Sequence, residues 1–125
     1  MDVVSFLYKR DTRTELYRPH LVGHMLTISF MTLAELERWT LASNWGPSRQ
    51  QHLERYLRRF VVHPTSQALC RRWAEVTDAG QRAGRPIATA DAWIAATALL
   101  LDVSLVTHNK DHFNGVSGLA VISES

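Results

Sequence analysis

The chain has 125 residues, 46% of them hydrophobic and 21% charged, with a formal net charge of +2. That is the length and balance of one ordinary globular domain with a core of its own. No stretch is apolar for long enough to suggest a membrane span, no secretion leader is expected, and a disulfide framework is not, since Cys70 stands alone, which fits the cytoplasm.

Asp2 is placed to cap a short helix, Val3 to Lys9. A second helical piece is predicted from Thr12 to about Tyr17, ended by Pro19. Leu26 to Phe30 alternates apolar and small polar residues and reads as a strand. Thr32 then caps a helix from Leu33 to about Ser43, with Glu35 in its first turn. Asn44-Trp-Gly-Pro47 is a break. From Ser48 a helix follows, with Leu53, Tyr56, Leu57 and Phe60 at helical spacing. Phe60 to His63 is a short strand stopped by Pro64. Ser66 opens a longer helix to about Ala83, ended by Gly84 with Pro86 beyond. It contains Cys70, read as a packing residue rather than a nucleophile. Thr89 caps the next helix, Ala90 to Leu101, which is apolar nearly all round and therefore central. Ser104 to Thr107 and Leu119 to Ile122 read as strands.

Strands alternating with helices imply a mainly parallel sheet covered on both faces, in one domain spanning residues 1–125. Ligands of such sheets sit beyond the carboxyl ends of the strands. Glu35, Asp91, Asn109 and Asp111 fall at that edge. Carboxylates gathered there repel each other unless a cation joins them. Mg²⁺ or Mn²⁺ prefers oxygen ligands and activates water for phosphodiester hydrolysis. From spacing alone, Glu35 and Asp91 equally suit helix N-termini, where negative charge is favoured. Trp39, Trp45, Trp73 and Trp93 are read as core rather than base-stacking residues. His20, His24, His52 and His63 show no ligand spacing. Arg55, Arg58 and Arg59 cluster, as do Arg71, Arg72, Arg82 and Arg85, and are read as solvated helix faces.

Three segments carry a more specific pattern. Ile28-Ser-Phe-Met-Thr-Leu-Ala-Glu-Leu36, Pro86-Ile-Ala-Thr-Ala-Asp-Ala-Trp-Ile-Ala-Ala-Thr-Ala98 and Leu105-Val-Thr-His-Asn-Lys-Asp-His-Phe113 resemble successive motifs of the PIN domain family. The similarity is greatest to the VapC-type toxins of bacterial toxin–antitoxin pairs. Asp2-Val-Val-Ser-Phe-Leu7 resembles the remainder of the family's first motif. The resemblance implies a three-layer α/β/α sandwich and a Mg²⁺-dependent (or Mn²⁺-dependent) endoribonuclease. By it, Glu35 and Asp91 hold the metal, with Asp2 a further candidate ligand. Thr107 and Asn109 position the site, and Asp111 with Asn109 completes it or orients water. The family's fourth acid falls immediately before Phe113, where this chain has His112, so either Asp111 or His112 serves that position.

The first motif is where the chain departs from the family. Met1 falls at the Thr of Asp-Thr-Asp/Asn, so the first acid and the central strand before it are expected to be missing. The implied partners are RNA, a cognate antitoxin and a second copy of the chain, in the cytoplasm. The helices Leu33–Ser43 and Ser48–Arg59, through Leu36, Trp39, Leu53 and Tyr56, are expected to form the partner surface. The alternative function is a catalytically inactive PIN module that binds a protein or RNA.

Overall fold

The computed structural model describes residues 12–124. The expected helix Val3–Lys9, the departure at the first motif and Asp2 lie outside them. The chain divides into two compact units, Met1–His63 and Pro64–Ser125.

In the first unit the order is α1 (Thr14–Leu21), β1 (Thr27–Ser29), α2 (Phe30–Ala42), α3 (Pro47–Leu57) and β2 (Val61–His63). Pro19 lies inside α1 instead of ending it. The helix survives because the next backbone bond is made, Val22 N–H to the Arg18 carbonyl at 3.1 Å, and because Tyr17 is wholly buried. Packing here outweighs the donor that proline removes. Strands β1 and β2 run parallel, with Ile28 opposite Val62 and Ser29 opposite His63.

The start of α2 corrects the sequence expectation. Ser29, not Thr32, is the cap: its hydroxyl accepts the Thr32 N–H at 3.0 Å. The Ser29 backbone is extended, which lets the strand end and the cap share one residue. Helix α2 therefore begins three residues earlier than the expected Leu33, and Glu35 is not in its first turn. Helix α3 also starts one residue early, with Pro47 at the head and Gly46 as cap, because proline suits the first helical position.

The core of this unit is Ile28, Leu36, Trp45, Leu53 and Leu57, flanked by Leu33, Trp39 and Phe60. Leu36 and Leu53 are 0% and 1% exposed. They are core residues of the first unit, which overturns their expected place on a partner surface. Trp39 and Trp45 sit with ring centroids 4.8 Å apart, and the Arg49 guanidinium lies 3.9 Å above Trp45.

The second unit runs α4 (Gln67–Arg82), α5 (Thr89–Leu101), β3 (Leu105–Val106), a 3₁₀ turn (Lys110–Phe113) and β4 (Val121–Ile122). Ser66 caps α4 as its sequence implies, accepting the Leu69 N–H at 3.1 Å. Gly84 leaves the helix at φ +70°, a conformation open to glycine at little cost. Gly80 is needed for a different reason. A Cβ there would meet the Arg85 carbonyl oxygen at 2.9 Å, so the chain could not fold back under α4.

Helix α5 is capped by the backbone at Ala88, not by the Thr89 side chain. The Ala88 carbonyl already accepts the Ala92 N–H at 2.9 Å, which makes Thr89 the first helical residue. Ala92, Ala95, Ala96, Thr97 and Ala98 are buried, as expected of a central helix. Their small size brings α4 and α5 close, and Trp73 stacks on Trp93 with centroids 5.0 Å apart. Ala92 and Ala95 join Val76 and Phe113 in the core. Cys70 is exposed, contrary to its expected packing role: the buried side of α4 is set by Leu69, Val76 and Gly80. Strands β3 and β4 are parallel, pairing Leu105 with Val121 and Val106 with Ile122.

Candidate active site

Asp91 lies in the first turn of α5, where the open N–H groups favour a carboxylate. Its side chain is 23% exposed. A carboxylate so placed has given up most of its water and needs polar or cationic partners.

One of those partners comes from the segment after β3. The Thr107 N–H bonds to the Ile122 carbonyl at 3.1 Å, which ties the end of β3 to β4. Its fully buried side chain accepts the Asn109 N–H at 3.1 Å. Thr107 thus fixes the backbone of Asn109, three residues beyond the end of β3 at Val106. The Asn109 carbonyl accepts the His112 N–H at 3.0 Å and starts the 3₁₀ turn. Phe113 closes the turn by burying its ring in the core. With Phe113 anchored inward, His112 Nδ1 reaches to 3.3 Å from Asp91 Oδ2.

Asp111 takes another course. It is exposed, and its Oδ1 accepts Asn114 Nδ2 at 3.4 Å. It lines a cavity of about 320 Å³ together with Val76, Gly80, Arg85 and His112. So of the two candidates around the fourth acidic position, His112 is the one beside Asp91.

Glu35 is exposed on α2 in the first unit, past the first turn. The N-terminal electrostatic role considered for it from spacing does not apply. Asn109 is exposed and held through its backbone. Among the described residues, no group of three His, Cys, Asp or Glu side chains gathers to hold a metal ion. The oxygen donors of Asp91 and Glu35 suit Mg²⁺ or Mn²⁺ by type. The described residues alone do not supply the number that such a site needs.

The chain was compared with known proteins. The PIN domain family matches residues 3–119. The chain is 28% identical to Ribonuclease VapC1 of Haemophilus influenzae strain R2866 over 126 residues, covering 90% of this chain and 94% of that protein. The structure is similar to VapBC-1 from nontypeable Haemophilus influenzae, with a TM-score of 0.83 and 26% identity over 98% of this chain and 92% of the other. It is also similar to VapBC2 from Rickettsia felis bound to a DNA fragment from its promoter, with a TM-score of 0.85 and 21% identity over 98% and 94% of the two chains.

Proposed function

This chain belongs to the PIN domain family and has its α/β fold with parallel strand pairing, and from that premise we propose that it is a metal-dependent endoribonuclease acting as the toxin of a toxin–antitoxin pair. The observation that carries the proposal is the similarity to Ribonuclease VapC1 along 90% of the chain. The antitoxin partner is supported by the likeness to VapBC-1. No described helix is long and apolar enough to cross a membrane, and we place the action in the cytoplasm, with a homodimer as the working unit.

In this reading Asp91 and Glu35 would hold Mg²⁺ or Mn²⁺, with Asp2 as the sequence-based candidate to complete the set. The ion, when bound, would supply an activated water and stabilise charge on the phosphoryl group. The chain's own residues do the positioning. His112 limits the freedom of the Asp91 carboxylate by standing 3.3 Å from it. Thr107 holds Asn109 at the end of β3, where the Asn109 amide and Asp111 orient water or substrate.

A second reading has an observation in its favour. His112 stands at the family's fourth acidic position, beside Asp91, which is compatible with an inactive PIN module that binds a protein or RNA. One assay separates the two: incubation of an RNA panel with the chain in Mg²⁺, with EDTA and Asp91→Asn as comparisons. Cleavage lost in both comparisons is the expected result. Loss of a group on which metal-assisted hydrolysis depends lowers the rate by about a hundredfold or more. Absence of cleavage by folded wild-type chain removes the enzyme reading, and full activity in Asp91→Asn removes Asp91 from the site.

A further inference from the structure

Helix α3 buries Leu53 and Leu57. At about 100° per residue, Arg55 projects from the opposite side of the helix. The chain stays helical for the turn after Leu57: Arg58 N–H bonds to the Arg55 carbonyl at 3.3 Å, and Arg59 N–H to the Tyr56 carbonyl at 3.2 Å. Arg58 and Arg59 therefore flank Arg55 on either side of one exposed face. Among the described residues, none of these arginines makes an ion pair with a carboxylate. The one carboxylate of α3, Glu54, is turned about a quarter of the helix circumference away from Arg55; it stands four residues before Arg58, on that side of the face, without forming an ion pair with it. Arg59 instead rests 5.0 Å over the Tyr56 ring.

The second arginine cluster is different. There Arg82 is paired with Asp78 at 2.8 Å, and Arg85 packs its stem against Gly115 and shares a cavity lining with Asp111. Arg71 and Arg72 of that cluster also make no ion pair; among the described residues, the α3 face brings three such guanidinium groups together within about one turn. The carbonyls at the end of α3 make that site tolerable for cations. They do not balance three charges, and like charges this close repel.

We infer that the Arg55–Arg58–Arg59 face of α3 is a docking surface for the phosphodiester backbone of single-stranded RNA. It rests on the ribonuclease reading above and adds to it where the substrate strand is held. Guanidinium groups bind phosphate oxygens through paired, planar hydrogen bonds. A polyphosphate strand supplies successive charges at a spacing that a turn of arginines can follow. The face contributes affinity without sequence choice, because backbone contacts carry none.

The test is fluorescence anisotropy of a labelled oligouridylate with the full-length chain in EDTA, across a salt series. Each phosphate contact to a single strand contributes about −0.7 to the slope of log affinity against log salt. The triple variant Arg55→Gln/Arg58→Gln/Arg59→Gln is expected to lower that slope by about 2 and to weaken binding about tenfold or more at moderate salt. A charge-matched control, Arg38→Gln/Arg71→Gln/Arg72→Gln, is expected to keep the wild-type slope. Circular dichroism checks that both are folded, and the single variant Arg55→Gln, at an exposed position, serves if the triple is not. An unchanged slope in the α3 variant overturns the inference, as does an equal loss in the control. Wild-type chain that cleaves RNA while the α3 variant binds normally refutes this surface alone. Wild-type chain that neither binds nor cleaves RNA refutes the ribonuclease reading with it. Tighter binding of an acidic peptide than of RNA to the same face also overturns it.

Discussion

Single residues in this protein act through the turn they sit in. Thr107 is the clearest case: a wholly buried residue whose hydroxyl accepts the Asn109 N–H and so fixes Asn109 and, through it, the turn that carries His112. Tyr56 is another. Burial raises its phenol above the usual value of 10.0, against the opposing effect of the nearby Arg59 charge. The folded state therefore holds the phenolic proton more tightly than the unfolded state. The resulting stability is fully present below pH 10, and it is lost as pH rises from there through the raised folded value. Absorbance titration at 295 nm is expected to show Tyr56 ionising later than a free tyrosine, and Tyr56→Phe is expected to flatten the alkaline loss of stability. A phenolate appearing at the ordinary pH would contradict the burial of this ring.

At the scale of elements, the pairing of α2 with α3 is held by Leu36, Leu53 and Leu57 around Ile28 and Trp45. Removing a buried leucine loses its transfer energy and leaves a cavity. Leu53→Ala is expected to destabilise the chain by about 2–5 kcal/mol, measured by urea denaturation. A change near zero would return Leu53 to the surface, where the sequence pattern had put it. That pattern was ambiguous for a physical reason. An amphipathic stripe shows that a helix face is covered, and it does not say whether a neighbouring helix or another protein covers it. The caps raise a similar difficulty. Ser29 and Thr32 are both good capping residues three positions apart, and the structure uses one to receive the other. Thr89 lost the cap to a backbone carbonyl one residue earlier, so Asp91 remained in the first turn while Glu35 did not.

For the molecule as a whole, the proposed function predicts a link between metal and stability. A ligand bound only by the folded state, at a hundred times its dissociation constant, stabilises by about 2.7 kcal/mol. Mg²⁺ or Mn²⁺ is therefore expected to raise the melting temperature of wild-type chain and not of Asp91→Asn, read by differential scanning calorimetry with EDTA as the baseline. Equal shifts in both would separate the metal from Asp91.

Local chemistry was enough to read the type of each described element, with the end of α1 and the start of α2 displaced. Gly84, Pro47, Ser66 and the all-apolar run after Asp91 act locally, through backbone freedom, missing donors and burial, so their effect can be read one residue at a time. The sequence also carried the family, through the segments around Glu35, Asp91 and Asn109. Only the tertiary structure decided which side chain stands beside Asp91. The choice between Asp111 and His112 depends on how far a 3₁₀ turn is rotated, and that is set by Phe113 entering a core built from α4 and α5. Likewise, the covering of Leu53 is a fact of packing between distant segments, which no local pattern encodes. Asp91 is thus fixed to its helix by sequence and given its neighbour His112 by the fold.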